Sequence, residues 1–337
     1  MRAVAIAGTR QLEVIEMDQP VAMENQVLIR IERAGICGSD LHMWENGKPP
    51  GLVMGHEIAG TIADAGASTG FNIGDRVTAI TGKPCLECKF CQSRQYHACP
   101  SFLNKGLGLG VHGGYAEYLA VDSWMVRRLP STMSMEEACM AEPSAVALRA
   151  VRLARIQPGE RLLIVGSGVI GLLCAAWARI FGAGYIALSE LNPERREKAG
   201  ALGDVDQVFD ASEPKLQRKL LGLTDGGFDK TLECAGPAPA VTSALGATKY
   251  DGTAVFVGIN YNLVPISTLR VCSKEINIKG SYGYSIEEFD MSLHSIARGI
   301  LNTRKFVEGT VDLEGVQDAF ERLTDPNGSA IKIMIKP

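Results

Sequence analysis

The chain has 337 residues, 46% of them apolar, and its 38 acidic and 34 basic side chains give a formal net charge of −4. This length indicates about two domains at roughly 100–200 residues each. The slightly acidic balance gives no electrostatic reason to expect nucleic acid or a membrane surface as a partner. Because the N-terminal stretch Met1–Arg10 turns polar too early for a secretory signal peptide, we expect a reducing, cytoplasmic location.

The first part of the chain, residues 1–145, is predicted to be rich in β-structure. Short apolar runs such as Val27–Ile31 and Arg76–Ile80 alternate with turns that contain glycine and proline. Residues 82–114 lack a strong period, and a long irregular loop inside a compact domain needs a reason to be ordered. A bound zinc ion would supply that reason, because metal binding energy can serve as folding energy.

Four cysteines lie in that loop in the pattern C-x2-C-x2-C-x7-C, at Cys85, Cys88, Cys91 and Cys99. Four thiolates can surround one tetrahedral zinc ion at ~2.3 Å and leave no open coordination position. In a reducing compartment, clustered thiols bind metal more often than they pair as disulfides. We therefore predict a structural zinc site that orders the loop and carries out no chemistry.

A second, looser set of metal-ligand types comprises Cys37, His56, Glu57 and Glu142. A catalytic zinc ion takes three protein ligands and keeps one position open for substrate or water. Cys37 and His56 supply two of the three, whereas Glu57 and Glu142 compete for the third place, and the sequence leaves that choice open. Each residue alone fits an ordinary structural role, so the prediction depends on finding the four together.

From about residue 146 the pattern changes to alternating strands and helices. Arg161–Val165 reads as a buried strand and Val169–Phe181 as the helix that follows it. The apolar run Leu162–Ala178 is short of the ~20 residues that span a bilayer, and glycines interrupt it. Alternation of this kind predicts a parallel sheet covered by helices. The other predicted elements here are strands at Tyr185–Ser189, Phe228–Leu232, Thr253–Val257 and Glu275–Lys279, and a helix at Pro193–Leu202 that Asn192 caps.

The link between that first strand and its helix is a G-x-G-x-x-G motif, Gly166-Ser167-Gly168-Val169-Ile170-Gly171. Gly166 allows the tight turn, Gly168 lets the backbone approach a pyrophosphate, and Gly171 allows close packing of helix and strand. Free N–H groups and the dipole at the helix N-terminus favour the anion. Since the motif stands in a strand–turn–helix context, it predicts a dinucleotide site.

The acidic residue Glu190 ends the second strand of this part, nineteen positions after Gly171. A carboxylate at that place can accept hydrogen bonds from the ribose hydroxyls and repels a 2′-phosphate, so NAD is favoured over NADP. Arg195, one turn into the next helix, can stack on adenine or offset Glu190 and admit some NADP. We predict NAD with this alternative kept open.

Taken together, these motifs resemble the zinc-dependent medium-chain dehydrogenases/reductases, the alcohol dehydrogenase superfamily. The Glu142-Pro143 pair in place of a cysteine is similar to the sorbitol and threonine dehydrogenase branch. The resemblance covers the whole chain, and its motifs occur in family order: Cys37–His42, Gly55–Glu57, the four cysteines, Gly113–Tyr118, Glu142-Pro143 and the glycine motif.

The resemblance implies an α/β protein of two domains. Residues 1–145 would form a β-rich GroES-like catalytic domain, with residues 82–114 as its structural-zinc lobe. Residues 146–284 would form a Rossmann NAD-binding domain with a doubly wound parallel sheet. Residues 285–337, with a predicted helix at Ile286–Gly299 and a final strand at Ala330–Ile335, would return to the catalytic domain.

The resemblance also implies an NAD-dependent enzyme with two zinc ions per chain that oxidises a secondary alcohol to the ketone. The substrate would be a polyol, sugar acid, cyclitol or amino alcohol, and the assembly a homodimer or homotetramer. In the family, the proton leaves through a hydroxyl at the Ser39 position, the cofactor ribose and a histidine at the His42 position. Two alternatives stay open: a carbonyl reductase that works mainly in reverse, and a non-catalytic zinc-binding module.

Overall fold

The computed structural model describes residues 1–202 and 204–337. Its strands are β1 (Arg2–Gly8), β2 (Gln11–Glu16), β3 (Gln26–Gly35), β4 (Glu57–Ala65), β5 (Arg76–Ala79), β6 (Tyr118–Asp122), β7 (Val126–Arg128), β8 (Arg161–Val165), β9 (Tyr185–Glu190), β10 (Gln207–Asp210), β11 (Phe228–Glu233), β12 (Thr248–Phe256), β13 (Asn277–Gly280), β14 (Gly309–Val311) and β15 (Ile333–Ile335). Its helices are α1 (Gly38–Asn46), α2 (Lys89–Gln92), α3 (Ser101–Asn104), α4 (Met135–Cys139), α5 (Ala141–Ala154), α6 (Val169–Ile180), α7 (Pro193–Ala201), α8 (Leu216–Leu223), α9 (Ala238–Ala247), α10 (Thr268–Ser273), α11 (Ile286–Ala297) and α12 (Val316–Thr324).

These elements form two compact units. The first comprises Met1–Pro143, Ser285–Asp325 and Ala330–Pro337, and the second comprises Ser144–Tyr284 with Pro326–Ser329. The tail after residue 284 thus belongs mostly to the first unit, whereas four of its residues, 326–329, cluster with the second.

The first unit is built on a seven-stranded sheet in the order β14-β15-β3-β4-β5-β7, with β6 paired to β3 as well. All these pairings are antiparallel except that of β14 with β15. Gly35 at the end of β3 lies opposite Glu57 at the start of β4, and α1 begins immediately after β3. This register brings the end of one strand, the start of the next and the first turn of a helix to one place.

The second unit is a six-stranded sheet in the order β10-β9-β8-β11-β12-β13, and each of its pairings is parallel. Strand β8 is buried from Leu162 to Val165, as expected for a strand covered on both faces. The strand order reverses between β8 and β11, and such switch points are where open α/β sheets bind ligands. The predicted fold class is confirmed: a β-rich unit and a Rossmann-type parallel sheet.

Most element boundaries follow from local chemistry that is visible in the sequence. Asn192 caps α7, accepting a hydrogen bond from the backbone N–H of Arg195 at 3.0 Å. The strand predicted from Glu275 begins two residues later because Glu275 has a left-handed φ of 50°. The final strand is shorter than predicted and starts at Ile333. No helix in residues 1–202 or 204–337 is long and apolar enough to cross a membrane.

Candidate functional site

The four predicted cysteines of the loop converge in the structure. The sulfur atoms of Cys85, Cys88, Cys91 and Cys99 all lie within 4.8 Å of one another. The separations are 3.9 Å for Cys85–Cys91, 3.6 Å for Cys88–Cys91 and 3.6 Å for Cys85–Cys99. Tetrahedral Zn–S bonds of ~2.3 Å place neighbouring sulfur atoms about 3.8 Å apart. The cluster therefore has the dimensions of a closed zinc site.

The surroundings of this cluster favour thiolate at one end. Burial raises the pKa of Cys99, but the backbone N–H groups of Cys85 and Ser101 donate to its sulfur and lower the pKa to about 6. Burial and the neighbouring Cys88 thiol raise the pKa of Cys91 to about 12. Phe102 packs against the cluster and is 2% exposed. A metal ion would replace this uneven distribution with four ionised ligands.

A second group, which we call the Cys37 centre, consists of Cys37, His56 and Glu57. One ligand atom from each lies within 4.8 Å of the other two. Cys37 is the residue before α1, and His56 and Glu57 lie at the start of β4, so the register of β3 with β4 assembles the group. His56 is 3% exposed and Glu57 is fully buried. Among residues 1–202 and 204–337, the compact group holds these three ligand types, the number that an open metal site takes from the protein.

Asp40 lies behind His56 and orients it. Its Oδ1 is 3.5 Å from His56 Nδ1, whereas Oδ2 accepts hydrogen bonds from the Cys37 N–H at 2.9 Å and the Tyr115 hydroxyl at 2.7 Å. Burial alone would lower the pKa of His56, but the charges of Asp40 and Cys37 raise it well above its ordinary value. Nδ1 thus faces the carboxylate, and Nε2 is the ring nitrogen that could hold a metal ion.

Glu57 has a buried counter-ion, Lys332 of the C-terminal segment. Both side chains are fully buried, and the Lys332 ammonium contacts Glu57 Oε2 and donates to the Ile36 carbonyl at 2.8 Å. Burial would lower the pKa of Lys332, but Glu57 and Cys37 raise it. The lysine therefore carries a charge that balances the centre when Glu57 is ionised.

Glu142, the other predicted candidate for the third ligand, lies at the start of α5 and is 7% exposed. Its Oε1 is 3.5 Å from the Thr81 hydroxyl. Burial raises the pKa of Glu142 to about 7, although His56 nearby lowers it. Glu142 does not belong to the group of described ligand atoms that lie within 4.8 Å of one another. Of the two acidic candidates, Glu57 is thus the one that forms a compact group with Cys37 and His56.

The two predicted relay residues lie on α1. The hydroxyl of Ser39 is 3.5 Å from His56 Nε2, so it lies beside the ligand atom of that ring. His42 is one turn further, with a side chain 39% exposed and Nδ1 3.6 Å from Glu45 Oε2. One residue is thus close to the Cys37 centre and the other is open to solvent.

Unpaired buried atoms indicate that the Cys37 centre fits a metal ion. His56 Nδ1 and both carboxylate oxygens of Glu57 are buried without a hydrogen bond, apart from the ion pairs with Asp40 and Lys332. Leaving such atoms unpaired is costly. Thiolate, imidazole and carboxylate are the ligands that zinc takes in catalytic sites.

In the second unit, the glycine motif has the geometry that a dinucleotide needs. Gly166 has a φ of 102°, which side-chain-bearing residues rarely adopt, and it follows β8 directly. A Cβ on Gly171 would lie 2.1 Å from the Gly166 carbonyl, whereas one on Gly168 would meet nothing within 4 Å. Gly168 is also the residue that precedes α6, so open space adjoins the helix N-terminus. Val169 and Ile170 form the first turn of that helix.

Glu190 is held by the glycine motif itself. Its Oε2 accepts from the backbone N–H and hydroxyl of Ser167 at 2.9 and 2.8 Å, and its Oε1 accepts from the Asn192 N–H at 2.9 Å. Burial would raise the pKa of Glu190, but these donors and the charge of Arg195 lower it. The carboxylate is therefore ionised and fixed in orientation at the end of β9.

Three residues of these sites were missed by the sequence reasoning: Asp40, Tyr115 and Lys332. Asp40 and Tyr115 lie inside the motifs Cys37–His42 and Gly113–Tyr118, so their position was an available signal. Lys332 lies 275 positions after Glu57, directly before strand β15. A lone charged residue among Ile331, Ile333 and Met334 was the one available clue.

Comparison with known proteins agrees with both units. The family model described as alcohol dehydrogenase GroES-like domain matches residues 23–131, and the one described as zinc-binding dehydrogenase matches residues 169–298. The chain belongs to the zinc-dependent medium-chain dehydrogenase/reductase superfamily, in its sorbitol dehydrogenase-like branch. By this membership it is an enzyme of the alcohol and polyol dehydrogenase class, which acts on CH–OH groups.

Individual relatives span the whole chain. Sorbitol dehydrogenase of Bacillus subtilis is 32% identical over 100% of this chain and 97% of its own length. The crystal structure of 2R,3R-butanediol dehydrogenase from Bacillus subtilis has a TM-score of 0.88 at 27% identity, covering 100% of this chain and 99% of that one. A zinc-binding dehydrogenase from Sinorhizobium meliloti, bound to NADP in its crystal structure, has a TM-score of 0.91 at 27% identity with the same coverage.

Proposed function

We propose that this protein is a zinc- and NAD-dependent dehydrogenase that oxidises a secondary alcohol of the polyol type to the ketone. The observation that carries the proposal is the Cys37 centre, in which the half-buried thiol of Cys37 and the buried side chains of His56 and Glu57 converge within 4.8 Å. The similarity to sorbitol and butanediol dehydrogenases supports a substrate with more than one hydroxyl group.

We assign the two groups of metal-ligand residues to two zinc ions per chain. Cys85, Cys88, Cys91 and Cys99 would hold a structural ion, supported by sulfur separations of 3.6–3.9 Å. Cys37, His56 and Glu57 would hold the second, with Glu142 as a hydrogen-bonding neighbour. When bound, that zinc ion lowers the pKa of a hydroxyl group in its open position towards neutrality.

Ser39 and His42 would remove the proton of the substrate. Ser39 is placed for the first transfer because its hydroxyl lies 3.5 Å from His56 Nε2, next to the ligand set. His42 would make the last transfer, to solvent, and its side-chain exposure of 39% supports that role. Asp40 keeps the imidazole of His56 in the orientation that the ligand set needs.

NAD is proposed as the hydride acceptor, bound with its pyrophosphate at the glycine motif. The ionised Glu190 would accept from the ribose hydroxyls of the adenosine half and repel a 2′-phosphate. Arg195 lowers the pKa of Glu190 through its charge, so it supports the carboxylate at this position. The NADP-bound relative from Sinorhizobium meliloti makes this choice one to test directly.

Assembly as a homodimer or homotetramer is proposed from the second unit. Strand β13 ends the order of its sheet, and an edge strand offers unpaired backbone groups. The segment that precedes it in the same unit carries exposed apolar side chains, among them Tyr261, Leu263 and Leu269, the second of which is fully exposed. We also propose a cytoplasmic location, which the nine free cysteines support.

The test is a spectrophotometric screen of polyols, sugar acids, cyclitols and amino alcohols with NAD and with NADP, read at the absorbance of the reduced nicotinamide. The proposal expects turnover of one alcohol class with NAD, and no turnover by Cys37→Ala. Turnover confined to ketones and reduced cofactor would favour the reductase direction. Tight NADH binding without turnover of any class, together with a single zinc ion per chain, would refute the catalytic assignment.

A further inference from the structure

The Cys37 centre is supported by a buried tyrosine that the proposed reaction does not itself use. Tyr115 is fully buried, and its hydroxyl lies 2.7 Å from Asp40 Oδ2 and 3.3 Å from the Gly35 carbonyl. Both neighbours are acceptors, so the hydroxyl must donate, and the shorter contact is to the carboxylate. Tyr115 thus donates a hydrogen bond to Asp40, the residue that faces His56.

Asp40 needs this donor because it is fully buried and contacts two groups at once, the backbone of Cys37 and the ring of His56. One oxygen accepts from the Cys37 N–H at 2.9 Å, and the other faces His56 Nδ1 at a looser 3.5 Å. A carboxylate with one firm donor can rotate about its side-chain torsions, whereas two donors on the same oxygen fix its plane. The orientation of Asp40 towards His56 therefore depends on Tyr115.

Tyr115 is itself held by the segment that carries His56. Its N–H donates to the Met54 carbonyl at 3.0 Å, and a Cβ on Gly55 would lie 2.4 Å from its ring. The ring also packs edge-on against Phe320, with centroids 6.1 Å apart. The backbone and ring contacts hold Tyr115 beside Gly55, the residue that precedes His56. Its hydroxyl is therefore fixed in position next to Asp40 on α1.

We propose that Tyr115 is a positioning residue for the zinc centre: its hydroxyl fixes Asp40, and Asp40 holds the His56 ring with Nε2 towards the metal ion. This inference rests on the proposed function, because it requires zinc at Cys37, His56 and Glu57. Groups that orient a metal-ligating histidine typically contribute 10–100-fold to metal affinity. Tyr115 acts one step further out, so the lower end of that range, about tenfold, is expected.

The experiment compares zinc affinity at the two sites of one protein. Tyr115→Phe removes only the hydroxyl and keeps the ring packing, and Tyr118→Phe, three residues further in β6, is the matched control. Zinc is withdrawn with a graded series of chelators while bound zinc is counted, so that the four-cysteine site serves as an internal reference. Thermal unfolding of each variant is followed in parallel, and so is the visible spectrum of the cobalt-substituted protein, which reports ligand geometry.

The inference expects Tyr115→Phe to lose the zinc of the Cys37 centre about tenfold more readily, with the four-cysteine site and Tyr118→Phe unchanged. It also expects an altered cobalt spectrum. In an Asp40→Ala background, which removes the acceptor, adding Tyr115→Phe should cause no further loss, because the tyrosine acts through Asp40.

Zinc affinity within twofold of wild type in Tyr115→Phe would overturn the inference. So would equal loosening of both zinc sites with a lowered unfolding temperature, which is the mark of a structural role. An additive loss in the Asp40→Ala background would overturn it too. A single zinc ion per wild-type chain would refute the proposed function and this inference together, whereas two ions with an unaffected Tyr115→Phe would refute the inference alone.

Discussion

The buried ion pair of Glu57 with Lys332 allows a quantitative test of how the Cys37 centre is balanced. Both side chains are fully buried, and Lys332 has one other acceptor, the Ile36 carbonyl at 2.8 Å. Replacing Lys332 with Met keeps most of the side-chain volume and leaves the Glu57 carboxylate without a counter-ion. Removing one partner of a buried pair typically costs about 3–5 kcal/mol of unfolding free energy.

A zinc ion bound beside Glu57 would supply the missing positive charge. We therefore expect Lys332→Met to lose about 3–5 kcal/mol in zinc-free protein and clearly less in zinc-loaded protein. Urea unfolding of both forms measures the two differences, and wild type treated in the same way corrects for removal of the structural zinc. The double variant Lys332→Met/Glu57→Gln should recover part of the loss, since the carboxylate that lost its counter-ion is then replaced by a neutral amide.

A loss of less than about 1 kcal/mol in zinc-free Lys332→Met would contradict this reasoning, because it would mean that Glu57 is neutral or solvated. An equal loss with and without zinc would show that the ion does not lie next to Glu57.

Gly35 allows a steric test of the same carboxylate, because a Cβ on Gly35 would lie 1.9 Å from Glu57 Oε2. Gly35→Ala should displace the carboxylate and cost zinc at the Cys37 centre while sparing the four-cysteine site.

Three further predictions follow from the sites. In zinc-free protein, folded Glu142 has a pKa of about 7 instead of 4.5, so it keeps its proton where the unfolded chain loses it. Relative to Glu142→Gln, wild type should therefore lose about 3 kcal/mol of stability as pH rises from 4.5 to about 7, at roughly 1.4 kcal/mol per pH unit, in urea titrations; a flat difference would refute this. Cys88→Ser should lower the unfolding temperature and the zinc content by one ion per chain, and full thermal stability would argue against a structural site. Ser167→Ala removes the 2.8 Å hydrogen bond that the serine hydroxyl donates to Glu190. The ratio of the dissociation constants for NADPH and NADH, measured by fluorescence titration, should then fall about fivefold, and an unchanged ratio would contradict this role of Ser167.

Much of the fold could be predicted because its signals are local. The run Arg161–Val165 and the glycine motif predict a strand, a turn and a helix within about twenty positions. The structure has strand β8 and helix α6 at these places. The four-cysteine cluster was equally local, since all its members lie within fifteen positions. Patterns of this kind need no knowledge of distant parts of the chain.

Features that depend on distant parts of the chain could not be read in the same way. The choice between Glu57 and Glu142 depends on how β3 and β4 pair and on where α5 begins, and no local pattern encodes either. The ion pair of Lys332 with Glu57 joins the residue before strand β15 to the start of β4. The hydrogen bond of Tyr115 with Asp40 joins residues 75 positions apart. These contacts depend on how distant strands pair and on the segments next to them, and the alternation of polar and apolar residues does not identify a strand's partner.

The most direct measurement of the central claim is the zinc content of wild-type protein and of Cys37→Ala, each purified without added metal and checked for folding by circular dichroism. We predict two zinc ions per wild-type chain and one per Cys37→Ala chain, with NADH binding retained in both. One ion in both proteins, or two in both, would contradict the assignment of a metal ion to Cys37, His56 and Glu57.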